Sequence, residues 1–229
     1  MTGDLSAAGA VPDRTADGPA RGGSSGPVPA SAARVFGSAL PVAVTYAGIL
    51  ATRGVEQGLL GPREVPRLWD RHLLNCAVVA ELIGPRRGTV LDLGSGAGLP
   101  GLVLAMVLPG TAVTLLEPME RRCRFLAECI TELELGNVSV LRGRAEDITL
   151  RTDVVTARAV APLPRLAGLA MGVVRPGGMV LAIKGRTAAE ELKAAGPVLR
   201  RIGARDAQVV RAGRGKVVPA TTVVRFFAT

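Results

Sequence analysis

The chain has 229 residues, 48% of them apolar and 3% aromatic, enough for one sizeable core of Val, Leu, Ile and Ala but not for two clear domains. No run of about 18 or more uncharged apolar residues reads as a membrane span, and the opening "MTGDLSAAGAVPDRT" lacks the basic and apolar regions of a signal peptide. The formal net charge of +9 points to an anionic partner, a nucleic acid or a membrane surface.

Residues 1–32 are rich in Gly, Pro, Ser and Ala, lack apolar periodicity, and are expected to form a disordered tail. A helical pattern covers 33–86: "ALPVAVTYAGILATRG" stops at Gly54, and "PREVPRLWDRHLLNCAVVAELIG" stops at Gly84 and Pro85. These helices are expected to cap a second unit over 87–229. There "TVLDL" predicts a short buried strand and "LPGLVLAMVLPG" a helix ended by Pro109 and Gly110. "AVTLLE" is the next strand, and 119–135 an amphipathic helix. "VSVLRG" and "DVVTARA" follow as strands, then a helix over 162–174, and "RPGG" turns into the strand "MVLAIKG". "AAEELKAAGPVLRRIG" reads as the last helix and "TTVVRFF" as a terminal strand. Strands alternating with helices predict an α/β fold with a doubly wound, mostly parallel sheet.

The three cysteines (Cys76, Cys123 and Cys129) form no CxxC, and His72 is the lone histidine. That disfavours a metal site and fits buried thiols in a reducing cytoplasm. The charge is uneven. Residues 141–229 carry 16 Arg or Lys against 6 Asp or Glu, a balance of +10, leaving −1 for the rest of the chain. Arg200, Arg201, Arg211, Arg214 and Lys216 are candidates to lie along phosphates.

The densest signal is "VLDLGSGAGLPG", residues 90–101. A glycine-rich turn between a buried strand and a helix lets a ligand approach the main chain and aims a helix N-terminus at it. No GK[ST] follows, so the loop is not a Walker A motif. In the register of a dinucleotide fingerprint, the third glycine would fall on Leu99. What remains is an acid, Asp92, two residues before Gly94 and Gly96. This resembles motif I of class I S-adenosylmethionine (SAM)-dependent methyltransferases, a Rossmann-like fold closing on a C-terminal antiparallel strand. Glu117, closing the second strand, suits the ribose hydroxyls, and Glu146 after the third strand suits the adenine edge. Asp92 is expected to bond loop amides, and Trp69 and Phe125 to pack in the core.

Marks of the methyl acceptor should follow the fourth strand. There is no [ND]-P-P-[YF] for exocyclic amines, no Pro-Cys nucleophile for cytosine C5, and no Lys-Asp-Lys-Glu set for ribose. An acceptor needing no deprotonation, such as guanine N7, fits best, with catalysis mainly by alignment. Arg158 and Lys184 lie on the cofactor edge of the sheet, where they can orient a base or phosphate.

"RLWDRHLLN" (67–75), "DLGSGAGLPG" (92–101), "RCRFL" (122–126), "ARAVAPL" (157–163) and "LAIKG" (181–185) together resemble the bacterial 16S rRNA guanine-N7 methyltransferase family, RsmG or GidB. The resemblance spans about residues 35–227. It implies SAM as methyl donor and a guanosine in the decoding-region loop of 16S rRNA, or the small ribosomal subunit, as acceptor. It implies cofactor contacts at Gly94, Leu99, Ala145, Glu146 and Arg158, and raises a substrate-orienting role for Arg71 or His72. The expected site therefore joins Arg158, Lys184 and His72 for substrate with Gly94, Gly96, Leu99, Glu117, Ala145, Glu146 and Arg158 for SAM. The expected enzyme is a cytoplasmic monomer, needing neither metal nor membrane. A SAM-dependent enzyme for a small molecule, a non-catalytic RNA-binding protein and, more distantly, an NAD-dependent oxidoreductase are the alternatives.

Overall fold

The computed structural model describes residues 25–84 and 88–229; the expected tail lies outside the described residues as far as position 24. Its expected end at residue 32 is corrected, because helix α1 spans Ala30–Phe36. Ala32 and Phe36 stand four residues apart on one helix face, and both are buried. Helix α2, Leu40–Ile49, continues through a π-helical turn at Leu50–Gly54.

The helical run Ala30–Gly54 is long and apolar enough to cross a membrane by length and composition, which corrects the expectation that no such stretch exists. Arg34 and Arg53 bracket an uncharged segment, 35–52, whose Ser, Thr, Tyr and Gly interrupt the apolar pattern without adding charge. In this fold Ala43, Tyr46, Ala47 and Leu50 recur at helical spacing and are buried in the core. The second helical region is irregular. A 3₁₀ segment, Pro62–Arg67, passes into a π-helical turn, Leu68–Leu73, and then into α3, Leu74–Ala77, and α4, Ala80–Ile83. Pro66 lacks an amide hydrogen and so keeps the early turns from closing as an α-helix.

Beyond this the chain alternates: β1 Thr89–Leu93, α5 Gly101–Val107, β2 Ala112–Glu117, α6 Glu120–Glu132, β3 Val138–Arg142 and β4 Thr152–Arg158. Then come α7 Leu163–Val173, β5 Val174–Lys184, α8 Ala188–Arg201, β6 Ala204–Ala212 and β7 Thr221–Ala228. The described strands form one seven-stranded sheet in the order β3-β2-β1-β4-β5-β7-β6. All pairs are parallel except those of β7, which runs antiparallel to β5 and β6. The chain reverses its winding at β1, between β2 and β4, and open α/β sheets bind ligands beyond the carboxyl ends of strands at such a point.

Period-two alternation sorts the side chains into two layers. Val90, Val113, Val154 and Leu181 join the N-terminal helices, α5 and α6. Leu91, Leu116, Val155 and Ala182 join α7 and α8. The N-terminal helices therefore share one continuous apolar layer with the sheet. Trp69 packs edge-on against Phe36, ring centroids 6.1 Å apart, and Phe125 is buried; both are core residues as the sequence predicts.

Two elements depart from expectation. "RPGG" is not a turn before a strand but a bulge inside β5, where pairing jumps from Thr152↔Val174 to Val154↔Met179. Strand β6 has no counterpart in the sequence reading. It is an edge strand carrying Arg205, Asp206, Gln208 and Arg211, interrupted by a bulge with Asp206 at φ +53°, so its alternation is weak.

Candidate active site

Residues 94–100 connect β1 to α5. Gly94 and Ser95 donate their amides to the Leu116 carbonyl, which fastens the loop to the end of β2. Gly94 has φ +70°, and a Cβ there would meet Val160 Cγ2 at 2.9 Å; no other residue suits that position. Asp92 behaves as the sequence predicts, though its partner is the helix rather than the loop. Its Oδ2 accepts from the Gly101 amide at 2.9 Å, and its Oδ1 from Thr156 Oγ1 at 3.3 Å. Burial pushes its carboxyl up to about 6, against the opposing pull of these hydrogen bonds. Tyr46 Oη donates to the Ala97 carbonyl at 2.5 Å, tying α2 to the loop.

The parallel register Leu93↔Leu116 brings Glu117 beside the glycines. Its Oε2 accepts from the Gly96 amide and its Oε1 from the Met119 amide, both at 3.0 Å, and the residue is 1% exposed. A buried carboxylate so held keeps lone pairs for further donors.

Two cavities meet at this loop. One, about 410 Å³, is lined by Gly94, Glu117, Met119, Arg122, Ala145, Glu146 and Val160, among others. The other, about 290 Å³, is lined by Leu60, His72, Gly94, Gly96, Leu99, Arg122 and Arg158, among others. Gly94, Arg122 and Ala159 border both. Every residue expected to hold SAM thus lines one cavity or the other. Arg122 is an addition. Its Nη1 lies 3.8 Å from Glu117 Oε2, and its Nε is buried without a partner among the described residues. The sequence offered only the weak cue that Arg122 falls in the first turn of the helix after Glu117. A further cavity of about 400 Å³ lies at the opposite edge of the sheet, lined by Thr89, Asp153, Arg175 and Arg225 among others, away from all the expected site residues.

Arg158, at the end of β4, places Nη2 2.6 Å from His72 Nδ1 and Nη1 3.4 Å from Cys76 Sγ. His72 lies on the π-helical turn and is 7% exposed; its Nε2 is 2.8 Å from Glu64 Oε2. Burial, and then the Arg158 charge, lower the His72 pKa to about 4, although Glu64 acts in the opposite sense. His72 is therefore neutral near pH 7. Glu64, unnoticed in the sequence, stands eight residues from His72 on the 3₁₀ segment and belongs to no motif.

Lys184 is not brought into this site. Its Nζ donates to the Ala161 carbonyl at 3.1 Å and pairs with Glu191 Oε2 at 2.8 Å. Its side chain is 11% exposed, and it lines neither cavity. A lysine so engaged braces β5 against α8, apart from the cavity that Arg158 and His72 line. The basic residues also divide. Arg211, near the end of β6, and Arg214 and Lys216 just after it lie at the glycine-loop edge, whereas Arg200 and Arg201 end α8 at the opposite edge. Lys216 pairs with Glu81 at 2.6 Å and Arg211 bonds to Thr222, while exposed Arg214 is in none of the described ion pairs.

This sheet order, with a glycine loop after β1, a buried acid closing β2 and a second acid after β3, defines a class I SAM-dependent methyltransferase. Solved structures agree on the fold. A SAM-dependent methyltransferase from Aquifex aeolicus matches at TM-score 0.55 and 22% identity, covering 74% of this chain and 100% of that one. A SAM-dependent O-methyltransferase from Thermotoga maritima matches at TM-score 0.55 and 14% identity, covering 68% and 64%. The sequence profile described as rRNA small subunit methyltransferase G matches residues 40–217. Proteins called ribosomal RNA small subunit methyltransferase G are 59% identical in Thermobifida fusca, over 88% of this chain and 86% of that one, and 54% identical in Streptomyces coelicolor, over 87% and 84%. The chain belongs to the rRNA small subunit methyltransferase G family.

Proposed function

We propose that this enzyme, a SAM-dependent methyltransferase of 16S rRNA, delivers the methyl group to N7 of one guanosine in the decoding-region loop. The observation that carries this reading is the chemistry of the cavity beside Arg158. Among the described residues lining it, the titratable side chains are His72, Arg122 and Arg158. The arginines only donate, and the Nδ1 lone pair of His72 is already taken by Arg158. None of these three side chains is placed to remove a proton, which favours an acceptor that attacks with a lone pair it already has. Guanine N7 is one.

The residues present fit the donor. Glu117 can accept from both ribose hydroxyls, Glu146 and the neighbouring Ala145 line the same cavity and suit the adenine edge, and Arg122, whose Nε has no partner among the described residues, borders both cavities. SAM, when bound, supplies a methyl carbon made electrophilic by its sulfonium. The glycine loop, Leu99 and Arg158 hold the reacting atoms in line, the kind of positioning that supplies a large share of such a rate. The remaining donors of the Arg158 guanidinium orient the guanine, and a base presented by folded RNA, rather than read in a duplex, suits an open cleft of this size. The reading includes a cytoplasmic monomer that needs no metal. Three buried free cysteines fit a reducing compartment, and an acceptor with its own lone pair needs no metal-activated nucleophile. The test replaces guanosine by 7-deazaguanosine in 16S rRNA reassembled into small subunits. Loss of transfer supports N7 as the acceptor atom; undiminished transfer rejects it.

A further inference from the structure

We propose that Glu64 is a positioning residue for methyl transfer: it fixes His72 in one neutral tautomer, and His72 in turn fixes the guanidinium of Arg158. The proposal rests on the reading that Arg158 orients the acceptor base. A guanidinium has donors only, so His72 Nδ1, 2.6 Å from Arg158 Nη2, must present its lone pair. The ring proton is then on Nε2, which donates to Glu64 Oε2 at 2.8 Å. The carboxylate is itself aimed, since its Oε1 accepts from Arg71 Nη1 at 3.1 Å. Pro62 and Pro66 flank Glu64 on the 3₁₀ segment and restrict its backbone.

Glu64 lines neither cavity of the site, so it acts only through the histidine. Without an acceptor at Nε2 the proton has no reason to stay there. The other tautomer would set an N–H of His72 against an N–H of Arg158 and push the guanidinium away. The remaining anchor, Cys76 Sγ at 3.4 Å, is a weak acceptor. A glutamine at position 64 would still offer a carbonyl oxygen to Nε2–H, whereas a leucine would not.

Because His72 is the lone histidine, ¹⁵N-histidine labelling of the whole protein reads this ring alone. The wild-type protein should show a neutral imidazole protonated on Nε2. Glu64→Gln should keep that tautomer and most of the transfer rate on small subunits. Glu64→Leu should lose the single tautomer and lower kcat by about 10-fold or more, and the buried Nε2–H left without an acceptor should lower the melting temperature as well. A wild-type ring protonated on Nδ1, or an unchanged kcat in Glu64→Leu, would overturn the proposal. So would a Glu64→Gln enzyme that keeps the tautomer but loses the rate, a comparison that stands even if the leucine variant does not fold. Wild-type protein that failed to methylate rRNA would count against the rRNA reading instead, and the tautomer would still decide the case for Glu64.

Discussion

Glu117 shows how much one buried residue can do in this site. Its two oxygens are already engaged by the Gly96 and Met119 amides, so it both shapes the empty loop and offers lone pairs to a ribose. Charge-assisted hydrogen bonds of this kind contribute roughly 1.5–3 kcal/mol each. Glu117→Ala should therefore weaken SAM binding by about 10-fold or more, measurable by calorimetry; unchanged affinity would move the ribose site elsewhere. His72 gives a second residue-level prediction. With its folded pKa lowered to about 4 from an ordinary 6.5, the unfolded chain takes up a proton between those values that the folded chain does not. The histidine therefore favours folding above about pH 6.5 and loses that contribution as pH falls toward 4. Asp92, held up at about 6, acts in the opposite sense over part of this range, so the ring resonance is the cleaner measurement. Its titration midpoint should lie near 4 rather than 6.5. At this scale Gly94, Glu117, Glu146 and Arg158 could be singled out from their places at or just after strand ends, whereas Leu99 came only from the family resemblance; all five line the two cavities. Glu64 and Arg122 were not legible, since their roles arise only when separate segments fold together.

The elements around the loop decide how rigid it is. Tyr46 reaches from α2 to the Ala97 carbonyl, the described link by which an N-terminal helix hydrogen-bonds the glycine turn. Tyr46→Phe would leave that buried carbonyl without its donor, at a cost of about 1–3 kcal/mol. It should lower the melting temperature and weaken SAM binding while leaving the fold intact by circular dichroism. Strands β1, β2 and β4 could be read from short apolar runs because they are central and largely buried on both faces, and β3, at the other edge, because Val138, Val140 and Leu141 keep an apolar run. The edge strand β6 could not, since its charged residues and bulge break the alternation. "RPGG" misled for a physical reason: a proline and two glycines serve a bulge inside β5 as well as a turn. The Lys184 partner could not be read, because the end of a strand fixes only where a side chain starts, and Glu191, one helical turn into α8, pairs with it.

Across the whole molecule, the positive charge of the C-terminal part is distributed over two edges of one sheet. Only the edge bearing Arg214 is also the edge of the glycine loop, so an RNA whose base enters the cavity is expected to meet Arg214 rather than Arg200. Arg214→Ala should weaken binding to rRNA and reduce the slope of log affinity against log salt by about 1, without changing SAM affinity. Arg200→Ala should leave that slope as it was. Equal effects from both would mean that the RNA wraps both edges. The charge excess was plain in the sequence, but its division between edges needed the topology, because α8 carries the chain from one edge to the other.

The central claim is that the site transfers methyl to guanine N7 in 16S rRNA. The most direct measurement incubates the purified protein and SAM with small subunits from cells lacking the enzyme. The rRNA is then treated with borohydride and aniline, which cleaves at N7-methylguanosine. One SAM-dependent cleavage in the decoding-region loop is the predicted result. SAM binding without any such cleavage, on mature subunits and assembly intermediates alike, would contradict it.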